Sequence, residues 1–558
     1  MGRKNSKEVI FRSILPQKVG NCIFFTFFWQ YDIILELSII PSAAAERGKV
    51  CMMADKSAVR DKRVTATDIY ISIMLLIFPL FTGFSGYGNI TFSKFAFFAV
   101  CTALWLCALA ALSFGSGAPR PHLQTCHYAA LIFGAVCLVS FALSPWRSQC
   151  LIGAGRYDGL VTQLLYMGIF LGVSLFGSVR KSHFVCLGTS LLLCSAVAAV
   201  QLFNIDIFGL FPGDYSHYDA GLRYSGAFLG TMGNTNVLSA FYCLAIPMLF
   251  VLPVLSSGRR AWLALIPLCP ALFVLIRAGV SGGFVGLCFA ALVSAPLFLT
   301  DMGRLRRALI AASPLLASAS AALAFSPEYV LDGGFSWSFS FGALPCACAV
   351  LAAACLIAGL WLRASSLSPS AKTMRRFFLL LCAAAVLAGA VFIYFCPAEE
   401  GTLYELSQVM HGNINEKFGS SRILIWRECL AAWGDHPILG SGPDTLALRV
   451  DVEFSRYVEE TGKTLRSGVD NAHNEYLGYL INTGLLGLGA YLSLLLLGLR
   501  SWLAKLDRTA ICALGTGALC YCAQSFFALG LPLVAPLFWI VIALLFINIE
   551  KPALLDIM

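Results

Sequence analysis

Residues 377–396 read FFLLLCAAAVLAGAVFIYFC, a run of twenty residues without a single charge. A helix needs roughly 20 apolar residues to cross the hydrocarbon core of a bilayer. Runs of this kind recur from Ile69 almost to the C-terminus, with short polar breaks between them. A transmembrane barrel would instead alternate apolar and polar residues. These runs therefore predict an all-α protein with many membrane spans.

The composition excludes a water-soluble protein. Of the 558 residues, 58% are hydrophobic and 12% are charged, and the mean hydropathy is +0.79. A soluble fold could not cover that much apolar surface. The net charge of +9 is assigned mainly to short loops, where membrane orientation requires basic residues. The 21 cysteines lie mostly in apolar segments and show neither a disulfide framework nor a zinc spacing.

The hydropathy pattern predicts about fourteen transmembrane helices and one large extracytoplasmic loop. We divide the chain into a cytoplasmic N-terminal segment (1–67), a first set of helices (68–396), the large loop (397–474) and the last helices (475–558). A charged stretch typical of a cytoplasmic start follows Met52 and Met53, so we expect the natural protein to begin at one of them. The helices are predicted near 68–83, 92–113, 127–144, 160–178, 184–202, 236–255, 262–277, 280–299, 309–325, 341–361, 377–396, 475–499, 509–529 and 536–549.

With the amino end in the cytoplasm, the basic residues of alternate loops all lie on the inside, as the positive-inside rule requires. The loops at 145–159, 203–235 and 326–340 then lie outside with the large loop. Long loops between spans are uncommon without a task. Function is therefore expected on the outer face.

Three arginines stand in motif-like contexts on that face. A guanidinium offers a planar fork of donors that suits phosphate oxygens, so the set is predicted to bind a diphosphate. The alternative is that each arginine pairs with a nearby acid. The segments are 155–159 (GRYDG) with Arg156, where Asp158 is the local acid, 221–226 (GLRYSG) with Arg223, and 421–426 (SRILIW) with Arg422.

The segment 470–476 (DNAHNEY) lies where the large loop re-enters the membrane. His473 is the best candidate for a general base, because an imidazole can accept a proton near neutral pH. Asp470 or Glu475 could orient its ring. Two alternatives stay open: Asp470, His473 and Glu475 as zinc or manganese ligands, or Asp470 or Asn471 as a helix cap.

Two further segments carry weaker signals. The segment 230–236 (GTMGNTN) opens a helix, and its backbone N–H groups would favour an anion if they point outward. Glycine and asparagine are also ordinary residues at a helix start. The segment 436–444 (HPILGSGPD) is interpreted as a tight, architectural turn.

These motifs resemble the O-antigen ligase and polymerase family. Its members carry an arginine before a Gly-x-x-Gly-Asn-x-Asn helix start, an Arg-x-x-x-Trp helix in a large periplasmic loop, a His-Pro-x-x-Gly-x-Gly turn, and an Asn-x-His-Asn-x-Tyr/Phe-Leu motif before a late helix. The counterparts occur in that order: Arg223 with 230–236, Arg422 with Trp426, 436–442, and 471–477.

The resemblance implies a metal-independent and cofactor-independent transfer of a glycan from undecaprenyl diphosphate to a hydroxyl of a glycan, lipid or protein acceptor. His473 would be the catalytic base, Arg223, Arg422 and more weakly Arg156 would bind the diphosphate, and Asp470, Asn474 and Glu475 would support them. The protein would be a multi-pass protein of the inner membrane, in contact with membrane lipids and not with nucleic acid.

Within the family, the large loop favours a ligase over a polymerase. A flippase or transporter of lipid-linked oligosaccharides would carry charges in mid-span, and the predicted spans are nearly free of them. Two features depart from the family. Residues 281–283 read Ser-Gly-Gly where members often have Ser-Arg-Gly, although Arg277 lies one turn earlier. The predicted helices exceed the usual dozen, so the pair near 309–361 is a possible insertion.

Overall fold

The computed structural model describes residues 50–114, 121–213, 215, 217, 220–221, 226–329, 335–450, 452–458 and 463–547. The chain divides into two units, residues 1–58 and 59–558, and every contact discussed below lies within the second. The predicted cytoplasmic segment falls outside the described residues as far as residue 49, and from Val50 onward it is helical.

All fourteen predicted spans are helices, which confirms an all-α, multi-pass membrane protein. Among the described residues, twelve helices are long and apolar enough to cross a membrane, and α5 and α17 are shorter apolar helices. In chain order the helices are α1 (Val50–Leu80), α2 (Ile90–Ser113), α3 (Thr125–Leu143), α4 (Arg147–Ile152), α5 (Leu160–Phe176), α6 (Lys181–Leu202), α7 (Thr235–Leu255), α8 (Leu265–Ala278), α9 (Ser281–Phe298), α10 (Met302–Ala324), α11 (Ala343–Ala364), α12 (Ala371–Tyr394), α13 (Gly401–Met410), α14 (Phe418–Trp433), α15 (Glu475–Leu503), α16 (Thr509–Gln524) and α17 (Ala535–Leu544).

Two antiparallel hairpins were not predicted. Strands β1 (Phe325–Tyr329) and β2 (Phe335–Phe339) pair between α10 and α11. Strands β3 (Glu453–Val458) and β4 (Lys463–Gly468) pair within the large loop. The described part of the large loop thus contains α13, α14 and the second hairpin, between α12 and α15.

Helix α7 lies at the centre of the bundle. In its most apolar stretch 94% of the residues are buried inside the protein, which explains why it is apolar on all sides. Helix α16 packs along it. At the periphery, only 17% of α11 and 6% of α12 is buried, so their apolar surfaces are left for lipid. The suggestion that the pair near 309–361 is an insertion stays a prediction.

Helix α15 is broken at Gly484, whose backbone has φ +68° and ψ −169°. A break inside a membrane helix leaves backbone groups that need partners. The segment 437–442 supplies them, so the architectural turn completes the interior of a helix. The bonds run from the N–H of Leu485 to the Pro437 carbonyl (2.9 Å), Leu486 to Ile438 (3.2 Å), Ser441 to Ile481 (3.2 Å) and Gly442 to Asn482 (3.0 Å).

Candidate functional site

His473 lies just before the first turn of α15 and has a left-handed backbone, with φ +49°. Its N–H donates to Asn471 Oδ1 at 3.0 Å, which forms a tight turn. Asn474 caps the helix, because its Oδ1 accepts the N–H of Leu477 at 3.0 Å. The alternative that Asp470 or Asn471 is the cap is therefore wrong. The turn and the cap together fix the backbone of His473, from which the imidazole extends.

Arg156 reaches the His473 motif from the loop before α5. Its Nε and Nη2 donate to the two carboxylate oxygens of Asp470 at 2.8 and 3.1 Å. The alternative that Arg156 pairs with Asp158 is wrong, because Asp158 Oδ1 accepts from Gln163 Nε2 at 3.0 Å instead. Both members of the Arg156–Asp470 pair stay partly exposed, so the guanidinium is accessible to a ligand.

Arg422 approaches from α14. Residues 419–421 have left-handed backbones, and the regular helix follows them. Arg422 Nη1 donates to the Gly419 carbonyl at 2.8 Å, while its buried Nε has no partner among the described residues. One turn later, Trp426 Nε1 donates to the Ala472 carbonyl at 3.0 Å. This bond fastens α14 to the residue next to His473.

Burial and two nearby guanidinium groups keep His473 neutral at neutral pH. Burial is the main cause that lowers the pKa of His473, to about 4, and the guanidinium groups of Arg422 and Arg156 lower it further, while Asp470 opposes them. Burial also lowers the pKa of Arg422. At neutral pH the imidazole is therefore a proton acceptor next to two cations, an arrangement suited to an anionic ligand.

Glu475 does not face the imidazole. Its Oε1 accepts from Tyr491 Oη at 2.7 Å inside the bundle, and its side chain is buried. Asp470 is engaged with Arg156. Across the described ranges, neither carboxylate is hydrogen-bonded to the His473 ring. No group of three His, Cys, Asp or Glu side chains there could hold a metal ion together, which removes the ligand set of Asp470, His473 and Glu475.

The remaining candidate anion contacts are Arg223, the start of α7 and Arg277. Arg223 lies outside the described residues. At the start of α7, two N–H groups expected to point outward are bound within the chain: that of Gly230 to Gln201 Oε1 at 3.0 Å and that of Asn236 to Asn234 Oδ1 at 2.8 Å. Arg277 donates to the Phe325 carbonyl at 3.0 Å, beside the last turn of α10, rather than presenting its charge to this site.

Sequence reasoning missed Asp444. Its Oδ2 accepts the backbone N–H of Arg156 at 3.3 Å, and the side chain is buried. Asp444, Asp158 and Glu475 line one cavity of about 30 Å³, a size that admits water to these buried carboxyl groups. The signal in the sequence was that Asp444 is an acid directly after a Gly-x-Gly-Pro turn. Aspartate tolerates a left-handed backbone at such a place, and the φ of Asp444 is +57°.

Residues 346–492 match the family model described as O-antigen ligase. The match includes Arg422, the turn at 436–442 and His473, whereas Arg156 and Arg223 precede it. It confirms the family resemblance drawn from the motifs. No curated protein matches the chain.

Proposed function

We propose, from the match of residues 346–492 to the O-antigen ligase family model, that the protein transfers a glycan from undecaprenyl diphosphate to an acceptor hydroxyl at the membrane surface. The observation that carries the proposal is the neutral His473 next to the guanidinium groups of Arg422 and Arg156. The reaction needs a base for the acceptor hydroxyl and cations for the diphosphate. His473 would supply the first, and Arg422 and Arg156 the second.

In the reaction, the acceptor oxygen attacks the anomeric carbon of the glycan. A new carbon–oxygen bond forms, the bond from that carbon to the diphosphate breaks, and the acceptor proton passes to His473. The diphosphate leaves with the electron pair and needs no protonation, because it is already an anion. Arg422 and Arg156 bind the diphosphate alike in the donor and in the leaving group, and we expect Arg223 to add to them.

Donor binding should also prepare the base. In the free protein, two nearby cations disfavour a proton on His473. A bound diphosphate offsets both positive charges, so the pKa of His473 rises when the donor is in place. The base then becomes stronger only when there is a substrate to act on.

We favour a ligase over a polymerase, because the ordered large loop brings α14 and the His473 motif together, and the matching family model is described as O-antigen ligase. The donor's glycan, the nature of the acceptor and independence from metals are parts of this proposal. So is the location in an inner membrane with the large loop outside.

Purified protein in lipid vesicles should transfer a lipid-diphosphate-linked glycan to an added acceptor in the presence of EDTA. We expect His473→Ala to abolish transfer and Arg422→Ala to raise the KM for the donor. The matched controls, exposed His411→Ala and Arg427→Ala, should keep wild-type rates. Full transfer by His473→Ala would remove that residue as the base, and inhibition by EDTA would show that a metal is required.

A further inference from the structure

Asp444 projects its carboxylate into the loop that carries Arg156. The side chain is 7% exposed. Its Oδ2 accepts the N–H of Arg156 at 3.3 Å, and the N–H groups of Gly155 and Asp158 also act on the carboxylate. Three N–H groups of one short loop thus act on a carboxylate from a segment 288 residues away. Several backbone N–H groups that point to one place bind an anion. Here that anion is the Asp444 carboxylate.

The fit is close. Gly153 has φ +119°, and a Cβ added to it would lie 2.3 Å from Asp444 Oδ2. Real Cβ atoms do not approach an oxygen so closely, so any larger residue at 153 must displace the carboxylate. Asp444 itself has a left-handed backbone, which non-glycine residues adopt at some cost. The left-handed backbones of Gly153 and Asp444 together bring the Asp444 carboxylate against the loop that carries Arg156.

As a result, Arg156 is held at two points. Asp444 binds its backbone N–H, and Asp470 binds its guanidinium group through two hydrogen bonds. In the proposed reaction a donor phosphate would take the place of Asp470, because both are anions and the ion pair is partly exposed. Asp444 is buried and stays in place when the guanidinium changes partner.

We propose that Asp444 is a positioning residue, which fixes the loop so that the Arg156 guanidinium stays beside His473 and can receive the donor's diphosphate. The inference rests on the proposed function, because it assigns the purpose of the loop to donor binding. Asp444 touches neither the substrate nor the reacting atoms in this scheme, and it acts only through Arg156.

The first test is a double-mutant cycle on the transfer reaction. Asp444→Ala and Arg156→Ala should each raise the donor KM about tenfold, the equivalent of one charged contact, with little change in kcat. In the Arg156→Ala background, Asp444→Ala should have no further effect. Gly153→Ala should reproduce Asp444→Ala. Asp444→Asn keeps a carbonyl oxygen for the Arg156 N–H and should restore most of the affinity, and it stays informative if the alanine variant does not fold.

The second test does not depend on activity. Hydrogen exchange of the amides at 153–159 should be faster in Asp444→Ala than in the wild type. The control is Asp435→Ala in the same segment, an exposed acid paired with Arg449, which should change neither exchange nor KM. Additive KM effects in the cycle, or unchanged exchange, would overturn the inference. If Arg156→Ala leaves the donor KM unchanged, the proposed diphosphate contact of Arg156 fails first and this inference fails with it.

Discussion

His473 owes its protonation state to burial, to Arg422 and Arg156 from two other segments of the chain, and to Asp470 from its own segment. Its pKa of about 4 lies below the ordinary value for histidine. The free protein therefore keeps a neutral, competent base until the pH falls to about 4. The folded state also binds this proton less readily than the unfolded chain, so its contribution to stability is lost as the pH falls from the ordinary value through 4.

We expect the acid limb that His473 contributes to kcat/KM to lie near pH 4. The carboxyl of Asp444, with a pKa raised by burial to about 6, can add a second limb, because the protonated acid is a weaker acceptor for the loop. Measuring the profile in Asp444→Asn as well as in the wild type separates the two. An acid limb at the ordinary histidine pKa in both proteins would contradict the neutral-base arrangement.

Removing one positive charge should move that limb. In Arg422→Ala the cation that most disfavours a proton on His473 is gone, so the pKa of His473 rises and the acid limb shifts upward. The limb is measured from kcat/KM against pH for both proteins. Arg427→Ala, on the same helix but paired with Glu416 and Glu428, should leave it in place. Equal profiles for Arg422→Ala and the wild type would show that Arg422 does not act on the base.

The local part of the site could be predicted from sequence, and its long-range part could not. Short motifs place His473 before a helix and Arg422 four residues before Trp426, because spacing within one helix is read directly. The partner of Arg156 is 314 residues away, and nothing in the sequence favours it over Asp158, two residues away. The buried role of Asp444 depends on the same long-range packing.

At the scale of elements, a substitution at Gly484 tests the packing of the break in α15 against the 437–442 segment. A Cβ on Gly484 would lie 2.3 Å from the backbone of Ile438, and the left-handed backbone adds a strain of roughly 1–3 kcal/mol. Gly484→Ala should therefore lower the thermal midpoint in detergent or prevent folding. Gly489→Ala, in the same helix with no atom within 4 Å of its Cβ, should be neutral or slightly stabilising. Equal midpoints would contradict the contact.

The first hairpin has two different faces. Register places Phe325, Tyr329, Phe335, Trp337 and Phe339 together, with serines and Glu328 on the other side. Trp337 and Phe339 are half exposed, and the hairpin joins two spans, so its aromatic face should lie in the lipid interface. A photoreactive phenylalanine at 337 or 339 should crosslink to phospholipid, and one at 336 or 338 should not. Equal crosslinking on both faces would contradict this placement.

Helices were predictable here where strands were not. Each span carries about twenty apolar residues, a signal that needs no knowledge of its neighbours. The alternation at 335–339 (FSWSF) was present, but a two-stranded hairpin is marginal by itself. Contacts of Phe203 with Phe325 and Phe335 support it, and those contacts become visible only in the folded chain.

For the whole molecule, the distribution of basic residues predicts one orientation. A phosphatase reporter that is active only outside the cytoplasm should be active when fused after Glu400, in the large loop. It should be inactive after Ser368, between α11 and α12, where Arg363, Lys372 and Arg375 are close. The reverse result would place the large loop, and with it the candidate site, on the cytoplasmic side.

The reach of Arg156 to Asp444 and Asp470 has a consequence for biosynthesis. A ribosome that has completed α12 has already placed the Arg156 loop at the membrane, yet both acids that hold this loop are still untranslated. The nascent chain therefore carries no working site, however many spans it has inserted. If the proposed function is right, a chain truncated before Asp444 would occupy the membrane without consuming lipid-linked glycan.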